Sequence, residues 1–120
     1  MQNMGNPIHY IEIVTPEVEK TCSLQSDAAG IEFSAPVAEL GGARTAQIPG
    51  GIIMGVRAPM HETEPPAVRV YVKVKDLAKA VEEVKSAGGN VLLDGMEIPG
   101  MGKIAIYEFG GNHHGFWQTE

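Results

Sequence analysis

The chain has a single cysteine, Cys22, among its 120 residues. No internal disulfide and no cluster of metal-binding thiolates can form from it. No apolar run approaches the roughly eighteen residues that a membrane-crossing helix needs. Aromatic residues make up only 6% of the chain, and nine Lys and Arg stand against fifteen Asp and Glu, for a formal charge of −6. That balance argues against a nucleic-acid surface, which needs clustered cations to displace phosphate counterions. The acidic residues are scattered, so they indicate solubility more than a partner. Met1-Gln2-Asn3-Met4-Gly5 has neither the basic start nor the apolar stretch of a secretory leader, and the expectation is a cytoplasmic protein. An apolar content of 43% is ordinary for one compact domain, or for two small modules sharing a core.

What the sequence does contain is an internal echo at a spacing of about sixty residues. Gly50-Gly51-Ile52-Ile53-Met54-Gly55-Val56-Arg57 reads against Gly110-Gly111-Asn112-His113-His114-Gly115-Phe116-Trp117, with three glycines in step. Upstream, Tyr10-Ile11-Glu12-Ile13 and Glu17-Val18 read against Arg69-Val70-Tyr71-Val72 and Asp76-Leu77. Two units are too few for a solenoid, so the pattern implies a pair of similar modules.

Local signals give each half the same order. Ile8 to Val14 is a β-branched run stopped by Thr15-Pro16, with Thr15 as the expected cap and Pro16 as the first helical residue. A short helix through Val18 and Cys22 ends by Gly30. Strands are expected over residues 31–40, 44–48 and 52–56, with turns at Gly41-Gly42 and Pro49-Gly50-Gly51. The proline-rich stretch 58–67 reads as a linker. Residues 68–74 form the clearest strand. Asp76 then caps a helix carrying Leu77, Ala80, Val81 and Val84 at helical spacing, stopped by Gly88-Gly89. Three further strands are expected over 91–93, 103–107 and 114–118. Strand alternation puts Val70, Val72 and Val74 under the helix and Arg69, Tyr71 and Lys73 on the opposite face. The same register puts Ile11 and Ile13 under the first helix, and Tyr10, Glu12 and Val14 opposite. In the last strand His113 and Trp117 share the face away from the helix, and His114 and Phe116 face it.

The doubled strand-helix-strand-strand-strand unit resembles the vicinal oxygen chelate superfamily, which includes glyoxalase I, bleomycin resistance proteins and extradiol dioxygenases. Val70-Tyr71-Val72-Lys73-Val74-Lys75-Asp76-Leu77 with Ala87-Gly88-Gly89 is similar to the family's helix-bearing half. Ile98-Pro99-Gly100-Met101-Gly102 and Gly111-Asn112-His113-His114-Gly115-Phe116-Trp117-Gln118 are similar to its closing segment, although Glu108-Phe109-Gly110 stands where Asp-Pro is common. The resemblance implies an α+β fold in which two βαβββ modules form a cup-shaped mixed sheet with helices on the outer face. Module 1 would cover about 7–57, a linker 58–67, and module 2 about 68–118, in one domain spanning 1–120.

In metal-dependent members the first and last strands of each module supply ligands. By the repeat, those positions hold Tyr10, Gly55, Arg69 and Gly115, none of them an imidazole or a carboxylate. An arginine about 4 Å from a cation would cost about 4 kcal/mol per unit charge pair at an effective dielectric near 20. No metal and no cofactor are therefore expected. Only if the register slipped by one residue would His9 reach a ligand position, and that slip would turn Ile11 and Ile13 into the cup.

The expectation is a glyoxalase- or bleomycin-resistance-like protein that binds a small organic molecule through Tyr10, Glu12, Arg69, Tyr71, His113 and Trp117. Aromatic walls, an arginine for an anionic group and a hydrogen-bonding carboxylate suit such a ligand. Glu12 and Arg69 pairing with each other is the competing structural role. The alternative function is a metal-dependent lyase, isomerase or dioxygenase of the glyoxalase type, and catalytic residues are not identified. A homodimer is what the family implies; nucleic acid and membrane are not expected partners. Cys22 reads as a small core residue, His61 as a linker residue without a partner in view, and Glu82-Glu83 with Lys79 and Lys85 as a solvated helix face.

Overall fold

The computed structural model describes residues 4–120; Met1, Gln2 and Asn3, which carry part of the expectation about a leader, lie outside the described residues. The element order is β1 (Ile8–Val14), α1 (Val18–Ala29), β2 (Pro36–Val37), a 3-10 turn (Ala38–Leu40), β3 (Ala43–Ile48), β4 (Ile52–Arg57), β5 (Ala67–Lys73), α2 (Leu77–Ser86), β6 (Asn90–Ile98), β7 (Gly102–Phe109) and β8 (Asn112–Gln118). This is α+β, with βαβββ occurring twice. The chain divides into two compact units, Tyr10–Arg69 and the residues up to His9 with Val70–Glu120. None of the described helices is long and apolar enough to cross a membrane.

In the Tyr10–Arg69 unit the strands lie in the order β2-β3-β4-β1. The outer pairs are antiparallel, and β1 runs parallel to β4 with Glu12 opposite Gly55. α1 packs on β4 with Cys22 as its buried residue, and Glu19 on its first turn meets Arg44 of β3 at 2.6 Å. The helix runs twelve residues, longer than its weak pattern suggests, and ends where expected: Gly30, at φ 69°, donates to Ser26 O at 2.9 Å. Its start differs from expectation. Glu17 is the N-cap, Pro16 precedes it, and the Thr15 hydroxyl accepts from Glu17 N at 3.1 Å instead of capping the first turn.

The expected strand over 31–40 is reduced to Pro36–Val37. Ser34 replaces ladder pairing with local bonds: its N–H donates to Thr45 O at 2.7 Å and its hydroxyl accepts from Thr45 N at 3.0 Å. Pro36 has no N–H to extend a ladder. Beyond Val37 the chain coils into the 3-10 turn, which closes with Gly41 N donating to Ala38 O at 3.2 Å.

In the other unit the order is β5-β8-β7-β6, and Tyr71 stands opposite Gly115 in the parallel β5–β8 pair. Asp76 caps α2 as expected, with Oδ1 accepting from Lys79 N at 3.0 Å. Leu77 and Val81 pack on Ala105, flanked by Val74, Val91 and Phe116. Each such aliphatic side chain stabilises the fold by about 1.5–3 kcal/mol when fully buried. The helix lies over β6, β7 and β8, so β5 is covered only near its end: Val74 reaches the cluster while Val70 stays 37% exposed. That corrects the expectation that Val70 packs under the helix. β6 runs past the expected end at Leu93 and through Asp94-Gly95, a pair whose chemistry suits a turn. The ladder instead absorbs these residues as irregularities between Val91 and Leu93 and between Asp94 and Met96, with Gly95 at φ 78°.

Candidate functional site

Of the six residues expected to line a site, Tyr10, Glu12 and Arg69 lie in the Tyr10–Arg69 unit and Tyr71, His113 and Trp117 in the other. In the first unit Glu12 is the hub. Its Oε1 accepts from Arg69 Nη1 at 2.5 Å and its Oε2 from Arg57 Nε at 2.8 Å. Arg57 spends the rest of its guanidinium on Glu64: Nη1 to Oε1 at 2.9 Å and Nη2 to Oε2 at 2.8 Å, with Nη1 also donating to Ala58 O at 3.1 Å. Glu64 Oε1 accepts further from Met60 N at 2.7 Å. Two carboxylates and two guanidiniums thus form one chain, Glu64–Arg57–Glu12–Arg69, largely buried throughout. The Glu12–Arg69 pairing weighed from the sequence is present, as part of this larger network.

The charges shape one another. The Arg57 hydrogen bonds hold the Glu64 carboxyl down at about 2 against the opposing effect of burial, and the Met60 N–H adds to that. Arg57 is itself shifted upward, first by its hydrogen bonds to Glu64, against desolvation. Tyr10, nearly fully buried, has its phenol raised by desolvation and then by the neighbouring Glu12 charge, so it stays protonated. Its ring lies over Gly55: a Cβ placed there would meet Tyr10 Cζ at 2.5 Å.

In the other unit Tyr71 and Trp117 meet edge to face, with ring centroids 5.6 Å apart, and both are almost completely buried. The Trp117 indole donates to Met101 O at 2.9 Å. Tyr71 covers Gly115 as Tyr10 covers Gly55, with Cε2 at 2.6 Å and Cγ at 2.8 Å from a Cβ placed on that glycine. His9 meets Trp117 at a tilt of 59°, with ring centroids 5.0 Å apart, and is shifted downward, first by burial and then by the Lys73 charge. His113 is exposed, opposite Glu108 in the β7–β8 ladder. His114 packs on Tyr107 at 5.1 Å, on the helix-facing side as expected. His61, for which the sequence offers no partner, pairs through Nδ1 with the Thr63 hydroxyl at 2.8 Å.

Sequence reasoning missed Arg57 and Glu64. The repeat itself held the signal for Arg57, because it aligns this residue with Trp117, which was selected. Glu64 sits in an irregular segment where no periodicity speaks. A cavity of about 760 Å³ opens beside the ends of β5 and β8, lined by Pro7, Lys73, Lys75, Gln118 and Glu120 among others. Another of about 660 Å³ lies near Gly30, Glu32 and Gln47. Neither is lined by any of the six expected residues.

No protein-family model matches the chain, and no curated protein matches it. Solved structures do. A hypothetical protein from Bacillus halodurans C-125 superposes with a TM-score of 0.78 at 14% identity, covering 98% of this chain and 96% of that one. Methylmalonyl-CoA epimerase from Mycobacterium tuberculosis gives 0.71 at 15%, covering 94% and 87%. A variant of the Streptomyces coelicolor epimerase in complex with 2-nitronate-propionyl-CoA gives 0.70 at 18%, covering 95% and 97%.

The metal that the resemblance implies does not fit the residues present. The corresponding positions hold a protonated buried phenol, a guanidinium bound to Glu12, and two glycines whose side-chain space is taken by tyrosine rings. Among the described residues no three His, Cys, Asp or Glu side chains gather to hold an ion. At these identities the likeness speaks for architecture alone: the chain shares the fold of methylmalonyl-CoA epimerase, an α+β arrangement of the kind expected from the sequence.

Proposed function

We propose that the protein binds a small organic molecule without a metal, in the manner of glyoxalase-like and bleomycin-resistance-like proteins. The observation that carries this reading is the replacement at the ligand positions. Where a chelating member would place imidazole and carboxylate, this chain has Tyr10, Arg69 and two glycines roofed by Tyr10 and Tyr71. That the same fold holds 2-nitronate-propionyl-CoA in the Streptomyces coelicolor epimerase supports an organic ligand. The sheet surfaces carrying Tyr10, Glu12 and Arg69, and Tyr71, His113 and Trp117, are the proposed binding surfaces, in a cytoplasmic homodimer. The second reading is a metal-dependent lyase, isomerase or dioxygenase of the glyoxalase type, favoured by the epimerases among the structural neighbours.

Two measurements decide between them. Elemental analysis of protein purified without chelators should find no stoichiometric zinc, nickel, manganese or iron; one retained equivalent per chain sinks the metal-free reading. A thermal-shift screen of aromatic acids, carboxylic metabolites and acyl thioesters should find stabilising ligands. Saturation at a hundred times the dissociation constant adds about 2.7 kcal/mol.

A further inference from the structure

We propose that the Arg57 guanidinium is a carboxylate-binding subsite that the chain's own Glu64 occupies as a latch, and that a ligand bearing a carboxylate enters by displacing Glu64. The proposal rests on the reading above that the protein binds a small organic molecule, and names the group by which it is held. Arg57 divides its donors between two kinds of structure. Nε is committed to Glu12, one strand away in the regular β1–β4 register. The paired Nη1 and Nη2 face Glu64, which sits in the irregular stretch between β4 and β5. That parallel, two-oxygen geometry is the one in which a guanidinium best recognises a planar carboxylate.

Charge balance states what the place requires. Arg57 is buried and divides its guanidinium between two carboxylates, so releasing Glu64 leaves its paired Nη1 and Nη2 without the anion they face. One more carboxylate must be supplied, from the chain or from a ligand. The segment 58–66 is exposed apart from Pro59 and Glu64, whose side chain keeps only 18% of its surface open. Its anchors are few: the Glu64 bonds to Arg57 and Met60 N, the His61–Thr63 side-chain contact, Glu64 N to His61 O at 3.1 Å, and Met60 Cε lying against Gly41. Releasing Glu64 therefore unpairs no strand. A tethered carboxylate on so short a segment competes at an effective concentration of about millimolar, so an entering carboxylate must match that.

The test is chemical rescue in the full chain. Glu64→Ala should melt at a lower temperature than the wild type. Propionate, but not propionamide or equimolar chloride, should restore the loss, with propionate bound at least tenfold more tightly than by the wild type. Glu64→Gln keeps the shape without the charge and supplies the same comparison if the alanine variant fails to fold. In the wild type, saturating propionate should speed amide exchange at residues 60 and 64. Equal effects of propionate and propionamide in the variants, or unchanged exchange at those amides in the wild type, would overturn the proposal. Neutral ligands that stabilise the wild type while leaving those amides unchanged would overturn it too, yet keep the ligand-binding reading.

Discussion

Gly115→Ala tests the claim that tyrosine rings occupy the space over the last-strand glycines. Gly115 does not have a left-handed backbone, so alanine is conformationally acceptable and the cost is steric alone. The added methyl would stand 2.6 Å from Tyr71 Cε2 and 2.8 Å from Cγ, closer than carbon atoms approach. Tyr71 cannot swing aside cheaply, because it is 2% exposed and packed edge to face on Trp117. Overpacking of this kind costs about 1–3 kcal/mol, and the rigid neighbour places the expectation at about 2–3. With an unfolding entropy near ~2.1 cal/mol/K per residue, each kcal/mol lowers the melting temperature of a chain this size by about 4 °C, so a loss of about 8–12 °C is expected. Urea denaturation followed by Trp117 fluorescence and circular dichroism gives the free energy. The clash should vanish in a Tyr71→Ala background, giving a coupling energy of about 2 kcal/mol in the double-mutant cycle. Gly111→Ala is the contrast: φ there is 85° and nothing lies within 4 Å, so only backbone strain of about 1 kcal/mol applies. A Gly115→Ala cost below about 0.5 kcal/mol, or one that persists without the Tyr71 ring, would refute the reasoning.

Glu12→Gln should cost about 3–5 kcal/mol in urea denaturation, because it removes the charge that the buried Arg57 and Arg69 guanidiniums both bond. Lys20→Ala, which breaks only an exposed pair with Glu17, should cost less than about 0.5. Glu64 has its native carboxyl at about 2 against an ordinary 4.5, so the unfolded chain binds its proton first. Its contribution is complete above pH 4.5 and drains as pH falls towards 2; the stability profile of Glu64→Gln should be flatter in that window. His9, shifted below 6.5, should show an NMR titration midpoint under that value, and its contribution is lost as pH falls through the shifted midpoint. The buried Cys22 thiol, pushed up by desolvation, should react with an aromatic disulfide roughly a hundredfold more slowly in the native chain than in denaturant.

The doubled architecture was legible because glycine spacing and strand alternation are local signals that survive tertiary packing. The Asp76 cap, the Gly30 stop and the faces of His113, His114, Phe116 and Trp117 follow from sequence for that reason. Failures cluster where local signals conflict. Asp94-Gly95 has the chemistry of a turn, yet pairing with β7 holds it in a strand as an irregularity. Residues 31–35 look like strand, yet the Ser34 hydroxyl takes over pairing that a backbone ladder would make. Within the site, the Glu12–Arg69 pair was foreseeable from two first strands. Its extension through Arg57 to Glu64 was not, since a segment without periodicity announces no partner for a side chain.

The repeat also exposes how the two modules solve one burial problem with different chemistry. Glu12 and Arg57 occupy the positions that Tyr71 and Trp117 occupy in the second module, each pair flanking a last-strand glycine. The aromatic residues there bring only uncharged polar groups, and the indole N–H of Trp117 is met by the Met101 carbonyl. Ions bury there only when every charge finds a counterpart, because desolvation outweighs any one contact. Glu12 and Arg57 neutralise each other, Arg69 brings a further cation to Glu12, and the carboxylate of Glu64 on Arg57 offsets it. Module 1 draws that carboxylate from the segment joining β4 to β5, which the aromatic pair in module 2 has no need to recruit. The position of Glu64 is a consequence of the charge on Arg57, and any change that neutralises Arg57 should also release the segment from its anchor.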